Sequence, residues 1–331
     1  MKSFFLRRIL SALPLLLLIS FINFLVIETS PGNPLLRVIR RPSDYSKEQM
    51  VALRAEYGLD DPIIIRYGKW LGRIAHGDLG FSYSTRQPVL EEIGDYLPNT
   101  LILMGTAFTV IIILSLTLGV YSASHKYSHM DTIMTSLSYL GQSIPSYWLG
   151  ILLIFLFHNI LANPFTGQPL LPIGGVSPWG EEASFLDRIR HLILPVAALS
   201  LERTACYARF IRASMLDILS QDYILAAHAR GIRRKRILFF HALRNALPPF
   251  VTTMALDLPG IVAGALFVEV VFSWPGIGRL FYNAAKLRDY PILIAITMLI
   301  AIAVVLFNLL ADLANSLLDP RVRLEVPAKG D

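Results

Sequence analysis

Six stretches of predominantly apolar residues, roughly 9–28, 98–121, 132–160, 191–211, 249–272 and 291–317, limit what this chain can fold into. Each reaches the ~18 residues at which a hydrophobic run with few charges becomes a transmembrane helix candidate. Inside hydrocarbon a backbone N–H or C=O finds no water, so a spanning segment that is not part of a closed barrel must be helical. Composition points the same way: 54% of the 331 residues are apolar and 16% are charged, where soluble domains carry about 25% charged. The expectation is an all-α integral membrane protein with six transmembrane helices.

The first run follows Lys2, Arg7 and Arg8, as in a secretory leader. Its apolar stretch, Ile9 to Ile27, exceeds the roughly 7–15 residues of a leader's apolar region, and the following ETSPGNP lacks a small-x-small cleavage pattern. It reads as an uncleaved first span. Six spans put both termini on one side of the membrane. Basic residues crowd the N-terminus, the loop with His125, Lys126 and His129, the stretch from Arg230 to Arg244, and the tail with Arg321, Arg323 and Lys329. By the positive-inside rule these segments, and so both termini, are cytoplasmic. Residues 30–97 are also rich in Lys and Arg, but loops beyond about 60 residues cross largely regardless of charge. The single cysteine, Cys206, rules out an intramolecular disulfide and reads as a small packing residue.

The 30–97 loop has its own structure. Ser46-x-x-Gln49 is a capping box opening a helix that Gly58 would close. Ile63, Tyr67, Trp70, Leu71 and Ile74 share a face of a second helix within 62–77. That face suits either an extracytoplasmic partner or the lipid headgroup level, where Trp and Tyr are favoured. In the third span, Pro145 removes a backbone donor and clashes with the preceding turn, so a kink or break belongs there, as a gate or as a packing device.

Between the fourth and fifth runs lies DYILAAHARGIRRKRILFFHALRNALPP, residues 222–249. Asp222 reads as the N-cap of a short helix over 223–230, about 12 Å long. Ala226, Ala227 and Ala229 would let a partner's backbone approach closely. Gly231 supplies a left-handed turn, and residues 233–247 form a returning helix stopped by Pro248-Pro249. Basic residues at 230 and 233–236 can hold anionic lipid, but lipid contact alone does not explain the helix–glycine–helix–proline order. Nucleic acid is a poor fit, because the run is tethered to a bilayer and lacks interleaved stacking aromatics.

Charge inside the spans is sparse and therefore a functional candidate. Asp257 and Glu269 share the fifth span, about 18 Å apart along its axis, too far to act as a carboxylate pair. Either could meet a substrate amine or pair with a basic group such as Arg279. Trp274-Pro275-Gly276 is expected to make a tight turn after the fifth span, with the indole anchored at the interface, folding a cap over a pore mouth or simply turning the chain. No G-x-x-x-x-G-K-[ST] phosphate loop and no H-E-x-x-H occur. His158, His191, His228 and His241 are scattered, so neither a catalytic nor a metal site is expected. A stand-alone secondary transporter or channel is the alternative class. It would usually show an inverted repeat, and none is visible.

The 222–249 segment resembles the EAA-type cytoplasmic loop of ABC importer permeases. Around it FFLRRILSALPLLLLISFINFLVIETSPGNP, YGLDDP, GDLGFSYSTRQPV, LPNTLIL, IPSYWLGILLIF, LPIGG, HLILPVAALSL, FVEVVFSWPGIGRLFYNAAKLRDYP and LLADLANSLLDPRVR occur in the order typical of B-type permease subunits of dipeptide/oligopeptide importers. The resemblance, over about residues 1–323, implies a type I ABC importer permease fold in a bacterial inner membrane. Residues 1–29 would hold the tail and first span, 30–97 the extracytoplasmic loop, 98–317 the permease core with an ATPase-docking loop at 212–248, and 318–331 a cytoplasmic tail. It implies a second, different permease, two ABC ATPase subunits that hold ATP and Mg, and an extracytoplasmic substrate-binding protein; the chain itself would bind no cofactor. The docking residues implied are Asp222, Tyr223, Leu225, Ala226, Ala227, Arg230, Gly231, Arg233, His241 and Asn245. Asp257, Glu269 and Trp274 are candidates for the substrate path. Leu225 stands where the general loop has Glu, six residues before the glycine, which argues for docking by shape rather than by a salt bridge there. The family handles dipeptides, oligopeptides, nickel chelates and some sugars or opines.

Overall fold

The computed structural model describes residues 2–29, 46, 48–49, 51–52, 60–161, 169–176 and 184–318. No β-sheet occurs among them; Phe81 and Pro88 form an isolated antiparallel bridge. Its principal helices are α1 (Lys2–Thr29), α2 (Ile63–Ala75), α3 (Val89–Ser124), α4 (His129–Ser143), α5 (Ser146–Phe155), α6 (Phe185–Leu219), α7 (Asp222–Ala229), α8 (Arg234–Val271), α9 (Ile277–Leu287) and α10 (Tyr290–Leu318). Three of them, α3, α8 and α10, are long and apolar enough to cross a membrane. A fourth candidate is α4 with the segment Ser146–Ile160, bent by 104° at the break before Pro145–Ser146. The proline expected to interrupt the third run does so, leaving Pro145 as the residue that opens α5. The apolar core of α1, Leu10–Val26, is shorter. In α6 the adjacent Glu202 and Arg203 interrupt the apolar run.

The chain divides into two compact units, Met1–Pro98 with Gly276–Val305, and Asn99–Pro275 with Leu306–Asp331. In the first, Val89 and Ile93 of α3 pack on Ile277, Leu280 and Ala284 of α9 and on Ile292, Ala295 and Ile296 of α10. Spacings of three and four residues put each set on one helical face. Asp289, fully buried just before α10, accepts hydrogen bonds from Ser82 Oγ at 2.5 Å, Ser84 N at 2.9 Å and Ser84 Oγ at 2.8 Å. That cluster ties the FSYS turn to the start of α10. The capping box at Ser46 and Gln49 forms as expected: Ser46 N donates to Gln49 Oε1 at 2.8 Å and Gln49 N to Ser46 Oγ at 3.2 Å. Gly58 and the basic tail lie outside the described residues. The α2 face bearing Tyr67 and Trp70 rests on Phe21 and Phe24 of α1, and Arg66 pairs with Glu28 at 2.5 Å. Its two aromatic rings are thus engaged by the first helix.

The second unit is built around α6. Ser184 and Asp187 form a reciprocal capping box at its start, and the serine hydroxyl holds the Asp187 carboxyl below the usual carboxylate range. Toward one end Leu194, Ala198 and Leu199 meet Leu103 and Ala107 of α3 and Ala265 and Val268 of α8. Toward the other, Tyr207, Ile211 and Met215 meet Ile111 of α3 and Phe250 and Met254 of α8, with Tyr207 edge-on to Phe250 at 5.7 Å. Small residues allow close approach: a Cβ at Gly119 would stand 2.7 Å from the Ala208 carbonyl oxygen. Near the same end Asp131 is buried at the first turn of α4. It takes a bidentate pair from Arg212 of α6 (Nε 2.6 Å, Nη2 2.7 Å), the Tyr127 amide at 2.9 Å and the Ser122 hydroxyl. This pair locks α4 onto α6.

Candidate functional site: the helical projection between α6 and α8

After α6 the chain makes α7, a turn, and then α8. The N-cap of α7 is Gln221, extended and without a side-chain cap bond, and Asp222 is the first helical residue. The carboxylate expected as a cap instead sits in the first turn, where it complements the helix dipole. At the other end Gly231 has φ +73°. Its amide bonds His228 O at 2.9 Å, and Ile232 N bonds Ala227 O at 3.2 Å. These paired bonds make a Schellman closure, which needs a left-handed residue where glycine sits. Ile232 then folds under α7 with Ile218, Leu219, Ile224, Ala227 and Ile237, giving the projection its own small apolar core.

That core decides which residues a partner could reach. Ala227 is buried, correcting the expectation that it lines the contact face alongside Ala226 and Ala229. Those two stay exposed, with Asp222, Tyr223, Arg230, Gly231 and Arg233. Leu225 is 58% exposed, an apolar side chain pointing outward. Phe239 and Phe240 add to the exposed apolar surface, Phe240 at 68%; helical periodicity alone did not single them out.

The return does not stop at Pro248-Pro249. Residues Arg234–Val271 form one helix, with Pro248, Pro249 and Pro259 inside it. Each proline deprives the carbonyl four residues earlier of its amide partner and presses a ring on that turn. Just before the pair, Ile237–Leu243 widens to i→i+5 bonding. Asn245 Nδ2 donates to His241 O at 2.9 Å, while Thr252 and Thr253 hydroxyls bond the Pro248 and Pro249 carbonyls at 3.0 and 2.9 Å. Asn245 also donates to Tyr223 Oη at 3.1 Å, tying α7 to α8. Arg234, from the basic run, donates to the Ser124 carbonyl at the C-terminus of α3 at 2.5 Å, where a cation is favoured.

Of the three substrate-path candidates, the structure leaves one open. Asp257 is partly exposed on α8, accepts from Tyr207 Oη at 2.9 Å and pairs with Arg203 of α6 at 3.5 Å. Glu269 is 0% exposed and accepts from Thr100 Oγ1 at 2.7 Å. Trp274 is 2% exposed and donates its indole N–H to Asn99 O at 3.0 Å. The indole therefore fastens a turn inside the helical core rather than anchoring at a membrane interface. The turn itself is present: Trp274 N bonds Glu269 O at 2.8 Å, with Ser273 at φ +51°. No group of three or more potential metal-binding side chains occurs among the described residues.

The chain is thus a long, apolar helical chain with an exposed, self-cored projection between α6 and α8. The sequence matches the binding-protein-dependent transport system inner membrane components over residues 115–324, and the N-terminal component of such systems over residues 1–104. The chain belongs to this family of inner-membrane transport proteins. It is 39% identical over 324 residues to the oligopeptide transport system permease protein AppB of Bacillus subtilis, covering 97% of this chain and 99% of that one. It is 35% identical over 340 residues to the dipeptide transport system permease protein DppB of Escherichia coli K12, covering 98% and 99%. A chain of the MetNI methionine ABC transporter, in an inward-facing conformation, superposes with a TM-score of 0.55 at 16% identity, over 70% of this chain and 97% of that one. The fold is that of a type I ABC importer permease.

Proposed function

We propose that this chain is one of two pore-forming permeases of an ATP-driven peptide importer. Its relatives over nearly the full length are named for oligopeptide and dipeptide transport, which supports peptides as cargo. The observation that carries the coupling reading is the exposed α7 helix, closed at Gly231 and joined by a short turn to α8, which starts at Arg234. In this reading six spans bring both termini and residues 212–248 to the cytoplasmic face. Residues 30–97 lie outside, facing a binding protein that delivers the peptide.

Two ABC ATPase subunits hold ATP and Mg, and each permease presents its projection to one of them. Asp222, Tyr223, Leu225, Ala226, Arg230, Gly231 and Arg233 form the contact surface, with Ala227 packed beneath it and Asn245, bonded to Tyr223 and to the His241 carbonyl, holding its shape. Closure of the ATPases pushes α7, and α8 carries the displacement into the membrane, shifting the pair between inward- and outward-open states. Asp257, with Arg203 and Tyr207 beside it, faces the substrate path. A charged pair left partly open to lipid would be costly, so its open side is expected to meet water or protein.

The test is to purify the tagged chain from its native membrane in mild detergent and identify its companions. Two ATPase polypeptides and a second permease, all lost when residues 222–249 are scrambled, are the expected result. A chain that purifies alone and moves solute in liposomes without ATP would overturn the proposal in favour of a solitary carrier or channel.

A further inference from the structure

Helices α3, α4 and α6 leave a groove of about 260 Å³ between them. Leu118, Met134, Leu137 and Leu201 give it apolar walls, and Arg209 and Arg212 stand at one end. Arg212 is already neutralised by Asp131. Arg209 lies over the Tyr139 ring at 4.6 Å, and among the described residues no carboxylate lies within ion-pair distance of it. Within the groove the Thr204 hydroxyl is buried and has no hydrogen-bond partner among the described residues. The groove therefore combines an apolar trough with a lining guanidinium and a buried hydroxyl that, among the described residues, lack a carboxylate and a hydrogen-bond partner respectively.

We infer that this groove holds a phospholipid of the surrounding bilayer with an anionic head group. A slender acyl chain fits, and the rim residue Leu137, 59% exposed, continues its apolar track outward. Charge selects the head group. A guanidinium fork matches a phosphate, and basic pockets between membrane helices near one face bind acidic head groups. Arg209 and Arg212 lie about 10–15 Å along α6 from its end at Leu219, toward the same end as the projection. A lipid held there would brace α4 against α6 beside the Asp131–Arg212 pair.

The full chain, with whatever subunits accompany it, is extracted in mild detergent and its retained lipid identified by native mass spectrometry. It is then delipidated and titrated with phosphatidylglycerol and with phosphatidylcholine. One retained acidic phospholipid per chain and at least tenfold preference for phosphatidylglycerol are expected. Arg209→Gln should abolish the preference and Arg209→Lys keep most of it. Ser138→Phe, which fills the groove, should displace either lipid. The two routes are independent, so a folding defect in one variant leaves the other decisive. Equal affinity for the two lipids, preference unchanged in Arg209→Gln, or retention undiminished in Ser138→Phe would each overturn the inference. So would efficient cross-linking of Leu137→Cys to a second permease chain.

Discussion

Replacing Gly231 isolates the backbone from everything else at the projection. Its φ of +73° lies in the left-handed region, and a Cβ built there meets nothing within 4 Å. A substitution therefore pays no clash with neighbours; its cost is the dihedral alone. For an L-residue that cost is about 1–2 kcal/mol, less for Asn, whose short polar side chain tolerates the region, and more for a β-branched residue. One to two kcal/mol is a factor of roughly 5–30 in the population of the intact turn. When the turn opens, the Gly231–His228 and Ile232–Ala227 bonds go, and Ile232 leaves the small core beneath α7. In proteoliposomes holding the assembled transporter, peptide uptake per ATP hydrolysed should fall in the order Gly, Asn, Ala, Val. An Asn variant worse than Ala would mean that side-chain volume governs the site, and the dihedral argument would be refuted. Full uptake by Gly231→Val would refute the coupling role as well.

Three further outcomes concern stability, read as thermal unfolding of the purified chain in detergent. Asp131→Asn leaves the Arg212 guanidinium without its bidentate partner; breaking a buried pair this way costs about 3–5 kcal/mol, and the partial exposure of Arg212 puts the expected loss at the lower end. The double change Asp131→Leu with Arg212→Met should recover most of it, and a double mutant no better than the single would contradict the pairing. Gly119→Ala must force α3 and α6 apart, because the new Cβ would stand 2.7 Å from a backbone oxygen; a loss of about 1–3 kcal/mol is expected, and an unchanged melting point would argue against the close approach. Arg288→Gly relieves a left-handed arginine at φ +53° and, after the added freedom of the unfolded chain, should stabilise by about 0.5–1 kcal/mol. A fall in melting temperature would show that the arginine side chain contributes more than its backbone costs.

Local chemistry was legible in the sequence wherever a short motif has one physical solution. Ser46 with Gln49, Gly231 at a helix end and Pro145 at a break all behave as their residue types require. What the sequence hid was facing. In an eight-residue helix, Ala226 and Ala227 look equivalent, and only the packing of Ile218, Ile232 and Ile237 shows that one lies beneath and the other above. Glu269 and Trp274 border an apolar run whose lipid-facing and protein-facing sides are equally apolar, so periodicity gave no warning that both are buried. Asp131 and Arg212 lie 81 residues apart, beyond any local pattern. The tandem prolines misled because a membrane helix tolerates them where its backbone adjusts locally, and here Ile237–Leu243 widens ahead of the pair and the helix runs on.

The unbroken course of α8 has a mechanical consequence. From Arg244 at the end of the widened segment to Val271 it runs 28 residues, or about 42 Å. A rotation of only about 5° at the widened turn would swing the far end by about 4 Å, close to the width of one side-chain contact. The buried Trp274 turn and the Thr100–Glu269 bond lie at that far end. A nudge too small to unseat any residue near Arg234 is thus geometrically sufficient to exchange one packing partner for the next across the membrane.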